Sequence, residues 1–135
     1  MITKLASFTL TTAASALLAL PVRATDFDIE IVNLTRGSYF TPLLIAAHAE
    51  SARLFMVGDV ASANLQAMAE GGDTSGLQAD AAALNATVVS NPADGLLGPG
   101  QRTMARLNTD AAPDNTHLSI VAMILPSNDG FMGLN

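Results

Sequence analysis

The chain contains no cysteine among its 135 residues. Disulfides, thiolate metal sites and lipoprotein attachment are therefore excluded. Lysine is nearly absent too, Lys4 being the only one. Past that position a lysine base or Schiff base is impossible, and no Gly-x-x-x-x-Gly-Lys phosphate loop exists. There is no strongly apolar run of the ~20 residues a membrane span requires. The nearest stretch, Leu5 to Leu20, is diluted by Thr and Ser. No Gly-x-Ser-x-Gly elbow is present either, and Gly72-Asp73-Thr74-Ser75-Gly76 has the wrong spacing. It reads as a helix-start loop.

What stands at the N-terminus has the layout of a secretory signal. Lys4 gives a short positive region, the apolar stretch follows, Pro21 breaks it, and Val22-Arg23-Ala24 offers a cleavage site after Ala24. Residues 1–24 are thus expected to be a signal peptide. Residues 25–135 are enough for one domain. Export without cysteine suits a bacterial periplasmic or secreted protein. Loss of Lys4 and Arg23 takes the net charge from −6 to −8, leaving four arginines against twelve acids. Such a surface argues against nucleic acid and against anionic membrane, both of which need a cationic patch.

Along residues 25–135, period-two alternation marks strands. Phe27, Ile29 and Ile31 alternate with Asp28 and Glu30, and Arg102 to Leu107 alternates again with its arginines facing water. Leu43 to His48, Arg53 to Gly58 and Ala86 to Ser90 also read as extended. Leu118 to Leu125 is apolar at nearly every position, as for a strand covered on both faces. Between them lie two short helical faces. Leu65, Met68 and Ala69 follow a cap at Asp59 or Ser62 and end at Gly71-Gly72; Leu77, Ala81 and Leu84 follow Thr74 or Ser75. The helices are expected to pack over one end of a sheet. The fold class is mainly β: an antiparallel β-sandwich with a short helical insertion.

Candidate chemistry is thin. His48-Ala49-Glu50 has the His-x-Glu spacing of zinc deaminases, which also require a downstream cysteine pair. Without it, His48 reads as a structural histidine near a strand end. A zinc hydrolase using His48 and His117 needs a carboxylate from elsewhere. Asp110-Ala111-Ala112-Pro113-Asp114 reads as a solvated turn, and no EF-hand loop occurs. The methionines read as core filler. Asn33-Leu34-Thr35 and Asn85-Ala86-Thr87 match glycosylation sequons that a bacterial protein does not use. The expectation is a protein that is not an enzyme. One carboxylate stands out: Asp129, in the loop Leu125-Pro126-Ser127-Asn128-Asp129-Gly130-Phe131, is placed at the rim of a sheet.

That loop is one of four segments whose order and spacing resemble the spondin N-terminal domain family, the F-spondin and mindin type of domain with a bacterial exported branch. The others are Ile31 to Thr35; Phe40-Thr41-Pro42-Leu43-Leu44-Ile45-Ala46-Ala47-His48; and Leu54 to Ser62 with Leu65 and Ala69 to Asp73. The resemblance implies a C2-like β-sandwich over residues 25–135 and one calcium ion, with Asp129 as a metal ligand. The family's other calcium carboxylates lie in a later Asp-Ala-Gly-Thr-Asp/Glu type segment, which is not found before Asn135. The domain is accordingly expected to be incomplete, without its closing strands. An unpaired edge at Leu118 to Leu125 and poor solubility are expected with it. The functional expectation is an exported, non-catalytic, calcium-binding module with an adhesion-like role toward an unknown protein or surface. The alternatives are a C2-like module that binds a lipid or membrane surface, with Phe131 and Met132 dipping into it, and a fragment with no metal-dependent function.

Overall fold

In the computed structural model, which describes residues 26–135, the alternating segments become antiparallel partners. Strand β1 (Asp26–Val32) pairs with a strand far along the chain, β5 (Arg102–Asn108), from Asp26↔Asn108 to Val32↔Arg102. Phe27, Ile29 and Ile31 turn inward with Thr103, Ala105 and Leu107. Outward, Arg102 meets Glu30 at 3.0 Å, and Arg106 meets Asp26 at 3.3 Å and Asp28 at 3.6 Å. These pairs are exposed and contribute at most ~1 kcal/mol each. They fix register more than stability.

The second sheet is built around β6 (His117–Leu125). One side of β6 pairs with β3 (Leu44–His48), which in turn pairs with β4 (Thr87–Ser90). The short β2 (Tyr39–Phe40) continues the β3 path along β6, and β7 (Phe131–Leu134) pairs with β6 from Ile120↔Leu134 to Met123↔Phe131. Between Phe40↔Ile124 and Leu44↔Val121 one strand advances four residues and β6 only three. Thr41 and Pro42 therefore form a bulge, the place where a residue without an N–H fits. Thr41 repairs the ladder by donating its N–H to Met123 O and accepting the Met123 N–H on Oγ1, both at 3.1 Å.

Helices α1 (Ala63–Gly71) and α2 (Ser75–Ala83) lie across the face of this sheet rather than over its end. Leu65, Met68, Leu77 and Ala81 pack with Leu44, Ala46, Val121 and Met123. The other face of the same strands, Ile45, Ala47, Ile120 and Ala122, packs with Phe40, Leu43, Leu97, Ala105 and Leu107 against the β1–β5 pair. Hence β3 and β6 are apolar at nearly every position, with a layer on each side. Ser62 Oγ caps α1 by accepting from Leu65 N at 3.1 Å, and Gly72, at φ 71°, ends it. For α2 the cap comes from Asp73: its Oδ1 accepts from Ser75 N at 2.9 Å, and Thr74 makes no side-chain cap bond. Gly76 faces the Asn64 side chain so closely that a Cβ would stand 2.4 Å from Oδ1, which lets the helices approach.

The architecture is the β-sandwich with a helical insertion that the alternation indicates, and its sheets are not closed. Two further expectations are corrected. Arg53 to Gly58 is not a strand: Leu54 and Phe55 anchor it, but Met56 and Val57 point to solvent, and no neighbouring strand offers a ladder. The apolar β6 is not an unpaired edge but the centre of its sheet. In the larger sheet β4 and β7 are the edges, and β1 and β5 each pair only with the other. Residues 1–25, including the expected cleavage after Ala24, lie outside the described residues.

Candidate functional site

Asp129 sits at the tip of the β6–β7 hairpin. The Leu125–Pro126 peptide is cis, and the loop is held by Ser127, whose hydroxyl donates to Ile124 O and accepts from Gly130 N at 3.1 Å. Ile124 N donates to Gly130 O at 2.8 Å, closing the hairpin. A Cβ on Gly130 would meet Ser127 Oγ at 2.8 Å, so this position must stay small. The carboxylate of Asp129 is left exposed. It lines a groove of about 280 Å³ beside α1 that Gln66, Glu70, Leu65 and Phe131 also line. Gln66 Nε2 donates to Glu70 Oε1 at 2.8 Å, which steadies the second carboxylate. Gln66 and Glu70 were not singled out by sequence reasoning. Their i, i+4 spacing on a short helix, one turn apart on the same face, was the available signal.

The hairpin does not project its apolar residues. Phe131 stacks edge-on against Phe55, with centroids 5.5 Å apart, and Met132 is half-buried toward the β1 side.

The two histidines meet, but not as a metal pair. His48 is buried; Nδ1 lies 2.9 Å from Ala49 O and Nε2 2.6 Å from Ser119 Oγ. Ser119 in turn bonds Asn135 Oδ1 at 2.6 Å, and Asn135 Nδ2 donates to Phe55 O at 2.6 Å. With both ring nitrogens engaged, His48 is the structural residue the sequence indicated. It joins β3, β6, the end of β7 and the Phe55 segment. His117 stacks on it at 6.4 Å. Among the described residues no group of three or more His, Cys, Asp or Glu side chains converges as a metal cage. Asp110 is tied to Asn108, and Asp114 is exposed in its turn.

The sequon at Asn33 has a mechanical role. Asn33 is fully buried; its Nδ2 donates to Ser38 O and Leu97 O, each at 2.8 Å. Its Oδ1 accepts from Thr35 N at 3.0 Å and Thr35 Oγ1 at 2.7 Å. One side chain thus knots the end of β1, the 33–38 loop and the 97–101 turn.

The described residues form a β-sandwich with a helical insertion and a tied hairpin that bears one exposed carboxylate. The family comparison gives this a name: residues 32–135, well over half of the chain, match the family model Spondin_N. The chain belongs to the spondin N-terminal domain family, which is non-catalytic and points to an extracellular interaction module. No curated protein matches it. Among the described residues, no helix is long and apolar enough to cross a membrane.

Proposed function

We propose that this domain is an exported, non-catalytic interaction module in which calcium at the Asp129 rim helps hold an oxygen-bearing partner surface. The observation that supports the reading is the groove in which Asp129 and Glu70 stand together, one on a tied hairpin and one on a capped helix. Calcium takes about six to eight oxygen ligands. Two carboxylates fall short of that, so water and oxygens of the partner supply the rest, and the ion is held weakly until the partner arrives. The role is adhesion-like: a bridge between an acidic rim and a polar surface. Delivery to the periplasm or the exterior, with cleavage after Ala24, belongs to the same reading. The shortage of cations weighs against nucleic acid and anionic membrane as partners.

The test is a calorimetric calcium titration of the purified protein. Saturable binding is expected with Kd on the order of 10⁻⁴–10⁻³ M, the range of extracellular modules. Asp129→Asn and Glu70→Gln should each weaken it ~10-fold by removing a charged ligand. Affinity unchanged in Asp129→Asn would remove Asp129 as a ligand and the calcium reading with it.

A further inference from the structure

The two sheets are unequal. Five strands face two, and beyond β1 the inner face of the larger sheet lies open. There a groove of about 610 Å³ runs between Ile31 and Val32 of β1 and Ile120, Met132 and Leu134 of β6 and β7, floored in part by Phe40. Its lips are apolar and wet: Leu134 is 52% and the adjacent Leu34 86% exposed. Isolated exposed leucines need no explanation, but a continuous apolar groove beside an open strand does.

The backbone of β1 tells which groups face it. Asn33 N donates to Gln101 O at 2.9 Å and Asn33 O accepts from Gly100 N at 2.8 Å. In an antiparallel ladder the residues that exchange bonds alternate. Ile29 and Ile31 therefore turn their N–H and C=O toward β5, and Asp28, Glu30 and Val32 turn theirs toward the groove. Among the described residues no strand takes them up. The side chains follow the same alternation: apolar at the odd positions, facing in, and acidic at Asp26, Asp28 and Glu30, facing out.

We infer that the free edge of β1 is a docking site for an extended peptide segment that alternates basic and apolar residues. Strand β5 shows what β1 accepts on its other side: Arg102 and Arg106 lie outward on the acids while Thr103, Ala105 and Leu107 lie inward. Three acids share these two arginines. A strand added at the free edge sets its basic residues across from Asp28 and Glu30, where opposite charges favour pairing. Its apolar residues then roof Ile120, Met132 and Leu134. Main-chain bonds supply the affinity and the alternating side chains the selectivity. An acidic strand is repelled by the same ladder, and a purely apolar one leaves the excess acid, three carboxylates on two arginines, without a new partner. The edge lies on a different face from the Asp129 groove and shares with the calcium reading only the premise that the domain binds.

The experiment uses the purified protein in EDTA, so that calcium plays no part, and a fluorescein-labelled synthetic peptide of alternating Arg and Val. Anisotropy should show saturable binding at physiological salt. A peptide of the same composition in two blocks, and one alternating Asp and Val, should each bind at least ~10-fold more weakly. Hydrogen exchange should show peptide-dependent protection of the Asp28 and Glu30 amides. Glu30→Pro removes an N–H on the free edge and none from the β5 ladder, so it should abolish binding while circular dichroism stays native. If that variant fails to fold, the Asp28→Lys, Glu30→Lys double variant decides, because it should switch preference to the Asp–Val peptide. Equal binding of the block peptide would reduce the effect to bulk charge and overturn the proposal. So would undiminished binding by folded Glu30→Pro, an unswitched preference in the double variant, or a concentration-dependent dimer that Glu30→Pro dissolves, since the edge would then belong to a second copy of the chain.

Discussion

Replacing Asn33 tests how the open side of the sandwich is held. Its amide makes two donations to carbonyls and its oxygen receives two donors, the bond to Leu97 O buried and the other three partly so. In Asn33→Ala the losses are partly made good. Leu97 O keeps the Phe40 N–H at 3.1 Å, and the Thr35 hydroxyl, with a single proton, turns fully to Ser38 O at 2.8 Å. Three effective bonds are lost, at about 1 kcal/mol net each, so the expected destabilisation is about 3 kcal/mol. Against a total stability of ~5–15 kcal/mol this is a large fraction. Urea denaturation of wild type and variant, with equal slopes, measures it. Asn33→Asp is the sharper comparison: it keeps the acceptor and the shape but turns a carboxylate toward two carbonyl oxygens. It should be at least as destabilising as alanine at neutral pH. A loss below ~1 kcal/mol in Asn33→Ala, the size of a single bond, would refute the view that this residue knots the loops.

Met68, fully buried between α1 and the sheet, should cost about 2–5 kcal/mol when cut to alanine, read as a lower denaturation midpoint. Gly72→Ala should lose ~1–2 kcal/mol from its left-handed φ alone, and more because the new Cβ would stand 3.1 Å from Thr41 Cγ2. A melt within error of wild type would contradict that. The Ser75 hydroxyl and N–H hold the Asp73 carboxyl below the usual aspartate range. Because the folded-state pKa is the lower one, the α2 cap is fully present above the ordinary aspartate value and is lost as pH falls through the depressed one. An NMR titration of Asp73 should show the low midpoint, and Ser75→Ala should raise it.

Local rules explain most of the elements that sequence reading found. The alternation of Phe27, Ile29 and Ile31 with acids, and of Arg102 to Leu107, reports one wet face per strand, and both strands form as expected. The continuous apolar run of β6 reports two covered faces. Ser62 and Gly72 mark the ends of α1 because a free N–H needs an acceptor and a left-handed residue needs no Cβ. The segment at Phe55 misled because apolar residues there serve as two anchors, Leu54 and Phe55, and not as one face of a ladder. Composition cannot separate those cases.

At the candidate site the division is similar. Asp129 was visible as the lone acid of a tight loop between apolar strands. Glu70, some sixty positions earlier, was not, since only the packing of α1 beside the β6–β7 hairpin brings the two carboxylates to one groove. The chain by itself determined what depends on neighbours in sequence: strand faces, the ends of α1, turns, the shortage of cations and the absence of thiols. The tertiary structure alone decided what depends on distant pairing. It made β6 a centre rather than an edge, set His48 against Ser119, joined Asn33 to Leu97, and left β1 with one partner and one open side. The reason is physical: a backbone edge carries the same N–H and C=O groups whether paired or free, so no residue in β1 announces which of its sides another strand will cover.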